Sequence, residues 1–291
     1  MSEEKRTITI LSHKNPDVDS MISGVLMQKL LRSRGHDANY VIPDKTISEE
    51  SAAICLKYGI DPAEYQGEVP EDANLFLVDH HETEVPGKVI GIIDHHPTNK
   101  EIQCGFYRNR ASCSTAMLIY KFGPSVFEPE DIKRVAIANL IDTNAFSSTK
   151  TVQADAEWTK RACEENGFDY QEIYNDGLCL TDITDPEKAA THGEKSYCYQ
   201  GKNLKSSYIQ VTDVDPDTLG QLIDQLRQRV TQQGLHEWVF LVQDMARFKT
   251  AKYEVTPGDC EVKPYQYPKM VSRADIMAGI EKRIMEEQEQ L

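Results

Sequence analysis

Three short apolar runs near the start of the chain each break into a block of aspartate and histidine. Thr7–Ser12 (TITILS) leads into Ser12-His13-Lys14-Asn15-Pro16-Asp17-Val18-Asp19-Ser20. Asn74–Val78 (NLFLV) leads into Asp79-His80-His81-Glu82, and Lys88–Ile93 (KVIGII) into Asp94-His95-His96-Pro97. Runs this short, apolar and rich in β-branched residues read as buried strands. Ligands bind beyond the carboxyl ends of such strands in an open α/β sheet. Blocks far apart in sequence can therefore converge in space. A fourth acidic block, Leu140-Ile141-Asp142-Thr143-Asn144, closes a helical pattern.

The spacing predicts a helix over 20–34, with Ile22, Val25, Leu26 and Leu30 on one face and Gly35 as its stop. A strand follows at 39–42 and a helix at 48–58, with Ser48 or Ser51 as its cap. Helical patterns recur at 114–122, 130–141, 153–166 and 169–180. Strands alternating with helices predict an α/β fold with a parallel sheet. The breaker-rich Asp182–Glu187 marks a change of pattern. Beyond it come strands at 195–200 and 205–211, a helix at 216–232, strands at 236–243 and 249–255, and a helix at 274–288. The expected division is an N-terminal domain, 1–184, and a smaller α/β domain, 185–291.

Composition narrows the partners. The formal charge is −15, with 47 acids against 32 bases. General binding to a nucleic acid backbone needs clustered cations, so no nucleic acid partner is expected. No apolar stretch approaches the ~18 residues of a membrane span. The charged opening Met1–Arg6 runs straight into a strand pattern, without the look of a signal peptide. The seven cysteines form no C-x-x-C pair and read as reduced thiols. The expected setting is cytoplasmic.

Several carboxylates brought together would repel, and burying them unpaired is costly. A divalent metal removes the conflict. Mixed carboxylate and imidazole donors without thiolate suit Mn²⁺, Co²⁺ or Fe²⁺ better than Mg²⁺. Within the first block, Pro16 fixes a turn and holds Asn15 extended, while Asp19 or Ser20 caps the next helix. Taken singly, each Asp-His pair reads equally as a capped turn. The joint pattern, H-x-N-P-D-x-D followed by two D-H-H triplets, favours a metal site.

In block order and spacing the chain resembles the DHH phosphoesterases, and among them the manganese-dependent (family II) inorganic pyrophosphatases. The resemblance is strongest over residues 7–146, and Asp94-His95-His96 is the name-giving triplet. It implies a parallel-sheet DHH domain and a smaller substrate-binding domain, with the active site in the cleft between them. It implies two or more Mn²⁺ ions, with Co²⁺ or Mg²⁺ as alternatives, Mg²⁺ as the substrate complex. His13, Asp17 and Asp79 would hold one ion, and Asp19, Asp79, His95 and Asp142 the other, with Asp79 bridging. His96 would face the substrate, Asp94 would orient a histidine, and His80 and Glu82 would support. Lys195, in Gly193-Glu194-Lys195, and Arg273, in Val271-Ser272-Arg273, would bind phosphate. The implied reaction is hydrolysis of pyrophosphate to two phosphates by a metal-activated hydroxide.

Two departures stand against that pattern. The family's Ser-Arg-Lys-Lys becomes Ser272-Arg273-Ala274-Asp275, unless Lys263 or Lys269 fills the place. His81 stands where the pyrophosphatases usually carry Asn. Polyphosphate or another small phosphoester is the alternative substrate, and a non-catalytic phosphate- or nucleotide-binding module is the alternative class. Oligomeric state, a homodimer or otherwise, stays open.

Overall fold

The computed structural model describes residues 7–43, 47–81, 84–98, 103–258 and 262–289. It divides into two compact units, Met1–Gly177 and Leu178–Leu291. The breaker-rich stretch taken as the domain boundary lies just inside the second unit, where Asp185 caps a short helix.

The first unit is built on five strands: β1 (Ile8–Leu11), β2 (Ala38–Val41), β3 (Asn74–Val78), β4 (Lys88–Asp94) and β5 (Phe106–Asn109). They are all parallel, in the order β2-β1-β3-β4-β5. Its helices are α1 (Val18–Ser33), α2 (Glu49–Lys57), α3 (Thr115–Phe122), α4 (Pro129–Asp142), α5 (Gln153–Glu165) and α6 (Tyr170–Gly177). Leu11, Leu75, Leu77 and Ile92 form one core cluster on adjacent strands. α1 is buried along most of its length, and small residues let it approach the sheet. A Cβ at Gly24 would lie 2.2 Å from the Tyr40 ring.

The second unit carries α7 (Pro186–Ala190), β6 (Lys195–Tyr199), β7 (Lys202–Val211), α8 (Pro216–Gln233), β8 (Glu237–Asp244), β9 (Lys249–Val255), β10 (Pro264–Tyr267) and α9 (Arg273–Glu289). The sheet order is β10-β9-β8-β7-β6, with β7 and β8 parallel and the other pairs antiparallel. Alternation along β8 separates two cores. Trp238, Phe240 and Val242 pack with Leu222, Leu226 and Val230 of α8. Val239 and Leu241 pack with Ile276, Met277, Ile280 and Ile284 of α9. The sheet is thus covered by a helix on each face.

The sequence pattern missed β5 and β10. Both are four-residue edge strands without an apolar run, and Phe106, Tyr107 and Tyr265 are exposed. Asn15 also departs from expectation. It precedes proline, yet its φ is 51°, a left-handed conformation that asparagine tolerates better than most residues. Asp17, rather than Asp19 or Ser20, caps α1 by accepting a hydrogen bond from the Ser20 amide at 3.0 Å. No helix among the described residues is long and apolar enough to cross a membrane.

Candidate metal centre

The chain runs outward from β1 to β2 on one side and to β3 on the other, so strand order reverses between β1 and β3. Open α/β sheets bind ligands at this crevice. The carboxyl end of β1 delivers His13, Asp17 and Asp19, that of β3 delivers Asp79, and that of β4 delivers Asp94, His95 and His96. α4 ends on Asp142.

Asp79 is the hub. Its Oδ2 lies 3.5 Å from His13 Nε2, and its Oδ1 lies 3.6 Å from His95 Nε2 and 3.7 Å from His96 Nδ1. His13 Nε2 is 3.9 Å from Asp17. His95 Nε2 is 3.9 Å from Asp19 and 3.3 Å from Asp142. Two groups of donors, His13 with Asp17 and His95 with His96, thus meet at the two oxygens of one carboxylate. The backbone of Asp79 adopts φ of 64°, an uncommon conformation for a residue with a Cβ. Its amide donates to the Ile93 carbonyl at 3.0 Å, which ties the turn to β4.

The turn before α3 organises the inner side. Thr115 Oγ1 donates to Asp79 Oδ1 at 2.9 Å, and the amides of Thr115 and Ala116 donate to Asp19 at 2.8 and 3.0 Å. Asp19 thereby sits against the positive end of α3. The Ser112 carbonyl accepts from His95 Nδ1 at 3.0 Å. Asp155 anchors this turn by accepting from Ser112 Oγ and the Cys113 amide.

Charge is crowded here. Burial, then the charges of Asp142 and Asp17, pushes the Asp19 carboxyl up to about 7. Burial, then Asp19, pushes Asp79 well above the usual carboxylate range. Burial opposes a charged His13, yet its contacts with Asp17 and Asp79 outweigh it and raise the imidazole to about 11. Asp94 raises His96 to about 9. Burial works against the Asp94 carboxylate, but the hydrogen bonds from His96 and His81 hold it well below its ordinary value.

This donor set fits divalent metal. Carboxylates that cling to protons for want of counter-charge accept a cation readily. His95 gives its Nδ1–H to Ser112 O, which leaves Nε2 as the free lone pair. That atom is buried without a hydrogen-bond partner among the described residues. It faces three carboxylates at separations too long for good hydrogen bonds.

The structure brings together His13, Asp17, Asp19, Asp79, His95, His96 and Asp142. Asp94 binds two imidazoles, one per oxygen: His96 Nδ1 at 2.9 Å and His81 Nδ1 at 2.6 Å. His80 turns instead to the Leu11 carbonyl at 3.2 Å. Glu82 lies outside the described residues. Sequence reasoning missed Lys150, Thr115, Ser112 and Asp155. None stands in a histidine block, and no local pattern flags them.

Lys195 and Arg273 are neighbours within the second unit. Burial and the Arg273 charge together lower the Lys195 pKa. Arg273 donates to the Gly193 carbonyl and lies over the Tyr208 ring, 5.3 Å from its centroid. Asp275 is engaged at the start of α9, where its amide donates to Ser272 Oγ and its carboxylate accepts from that hydroxyl at 2.7 Å.

Residues 7–143 match the DHH family, N-terminal domain. A manganese-dependent inorganic pyrophosphatase of Methanocaldococcus jannaschii is 23% identical over 262 residues, covering 82% of this chain and 83% of that protein. A Lactobacillus helveticus protein named as a probable manganese-dependent inorganic pyrophosphatase is 25% identical over 228 residues, 72% of each. A solved Methanococcus jannaschii structure named for family II inorganic pyrophosphatase superposes with a TM-score of 0.64 at 22% identity, covering 94% of this chain and 98% of that one. Over residues 7–143 the chain is thus similar to the DHH family N-terminal domain, and along most of its length to manganese-dependent inorganic pyrophosphatases.

Proposed function

We infer that the protein is a metal-dependent phosphohydrolase whose substrate is inorganic pyrophosphate. The observation that carries this reading is the meeting of two donor groups on the two oxygens of Asp79. His13, Asp17 and Asp79 would hold one Mn²⁺, and Asp19, Asp79, His95 and Asp142 the other. Bound metal supplies Lewis-acid neutralisation of the phosphoryl oxygens and a lowered pKa for the attacking water. His96, fixed through Nδ1 on Asp94, presents its other nitrogen as proton donor to the leaving phosphate oxygen. Ser112 and Thr115 hold His95 and Asp79 in place. Lys195 and Arg273 are assigned to phosphate oxygens, where charge-assisted bonds are strong. The names of the relatives support pyrophosphate and manganese.

A second reading, hydrolysis of polyphosphate or another small phosphoester, draws on Ala274. This side chain brings no charge to the start of α9, next to Arg273. A phosphate-release assay on pyrophosphate, tripolyphosphate, long polyphosphate and short oligonucleotides separates the readings. Pyrophosphate should be hydrolysed fastest, with Mn²⁺ or Co²⁺ activating the stripped protein more than Mg²⁺. Faster release from polyphosphate would replace the substrate, and no metal-dependent release from any of them would sink the enzymatic reading.

A further inference from the structure

Lys150 lies on the segment after α4 and has no part in the reading above. Its ammonium donates to both oxygens of Asp142, at 3.1 and 3.2 Å. Its charge also acts on Asp17, Asp79 and His96. The same Asp142 lies 3.3 Å from His95 Nε2. One carboxylate thus faces the metal-binding donors on one side and a protein cation on the other.

The segment that carries this cation is strained and braced. Asn144, Ala145 and Phe146 are consecutive left-handed residues, with φ of 48°, 52° and 65°. Such a run persists only where its surroundings over-determine it. Here the Ala145 amide donates to Leu140 O at 2.7 Å, the Phe146 amide to Thr143 Oγ1 at 3.1 Å, and the Ser148 amide to Thr143 O at 3.0 Å. The brace sets where Lys150 begins. Its side chain is 46% exposed, against 14% for Asp142. The lysine can swing into water on its flexible stem, and the aspartate cannot follow.

We propose that Lys150 is the exchangeable counter-ion of Asp142, neutralising the carboxylate cluster in the metal-free protein and leaving when a divalent metal takes that carboxylate. The inference rests on the metal-centre reading and adds a competitor to it. Lys150 would then set metal affinity by opposing it, as one like charge opposes another at short range. A lysine that merely aligned Asp142 would have the opposite effect, since its loss would loosen the metal.

The test is calorimetric titration of the stripped full-length protein with Mn²⁺, for wild type, Lys150→Gln and Lys150→Arg. Lys150→Gln should bind Mn²⁺ about tenfold tighter, the figure expected of a partly exposed charge, and Lys150→Arg no tighter than wild type. In wild type, reductive methylation of Lys150, followed by peptide mass spectrometry, should speed up on adding Mn²⁺, which needs no variant to fold. Equal or weaker binding by Lys150→Gln, or a methylation rate indifferent to Mn²⁺, would overturn the exchange while leaving the metal centre standing. A wild type that binds no Mn²⁺ would remove both.

Discussion

Asp79 joins the two candidate donor groups through a single carboxylate. Each of its oxygens faces a different histidine set, and Thr115 holds one of them. Replacing it with Asn keeps the shape and removes the charge that both donor groups share. Asp79→Asn should lower kcat for metal-dependent phosphate release by at least about a hundredfold, the scale of losing a metal ligand or its partner, with an unchanged circular dichroism spectrum. Near-wild-type turnover by a folded, metal-replete variant would contradict the shared role.

The same crowding sets a pH dependence. In the metal-free chain Asp19 and Asp79 keep their protons to higher pH than they would unfolded, and so do His13 and His96. The folded chain then binds more protons than the unfolded one above about pH 4, and stability falls as pH rises. The carboxyl contribution fades as Asp19 ionises near 7. The histidine contributions, complete below the unfolded imidazole pKa, fade through about 9 for His96 and about 11 for His13. Asp94 and Asp17 work in the other direction, below the ordinary carboxylate pKa. The Tm of chelated protein should therefore fall between pH 5 and pH 9, and Mn²⁺ should raise it more at pH 8 than at pH 5. A Tm that climbs over this range would refute the assignment of the raised groups.

At the scale of the element, α1 and α9 carry opposite lessons. α1 can lie on β2 because Gly24 has no side chain. Its Cβ would strike the ring of Tyr40, which is wedged by Tyr65 and hydrogen-bonded to Ser12. Gly24→Ala should cost about 1–3 kcal/mol through overpacking. Gly220→Ala, in α8 with nothing within 4 Å of the new methyl, should gain about 0.5–1 kcal/mol. Denaturant titration of the two variants measures both signs. α9 opens on Arg273, Ala274 and a capped Asp275. If Ala274 occupies the place of a substrate-binding lysine, Ala274→Lys should raise kcat/KM for pyrophosphate roughly tenfold relative to a less charged phosphoester, the value of one charge-assisted bond. An unchanged ratio would show that residue 274 does not meet the substrate, or that Lys263 or Lys269 already serves there.

Across the whole molecule, the two units have separate cores and separate sheets. Among the described residues, the candidate metal donors belong to the first. A fragment of residues 1–177 should gain thermal stability from Mn²⁺, and a fragment of residues 178–291 should fold with a mixed α/β spectrum and ignore the metal. Calorimetry of both fragments checks this, and a Mn²⁺-dependent Tm for the second would place donors there that the structure does not.

Hydrophobic periodicity in the sequence determined the alternation of strands and helices, because buried strands must be apolar and amphipathic helices must repeat. The Asp-His blocks were legible for the same reason: polar residues placed directly after a buried strand have few uses. Short edge strands such as β5 and β10 were not legible, since a strand exposed along one side needs no apolar run. The tertiary structure alone decided how the blocks converge. The reversal of strand order at β1 and β3, invisible in a linear pattern, puts His13 and Asp79 side by side. It also assigned the caps, giving Asp17 to α1 and Asp19 to the amides of α3. Lys150 became visible only there as well, because the left-handed turn at Asn144, Ala145 and Phe146, which no sequence pattern flags, brings it back against Asp142.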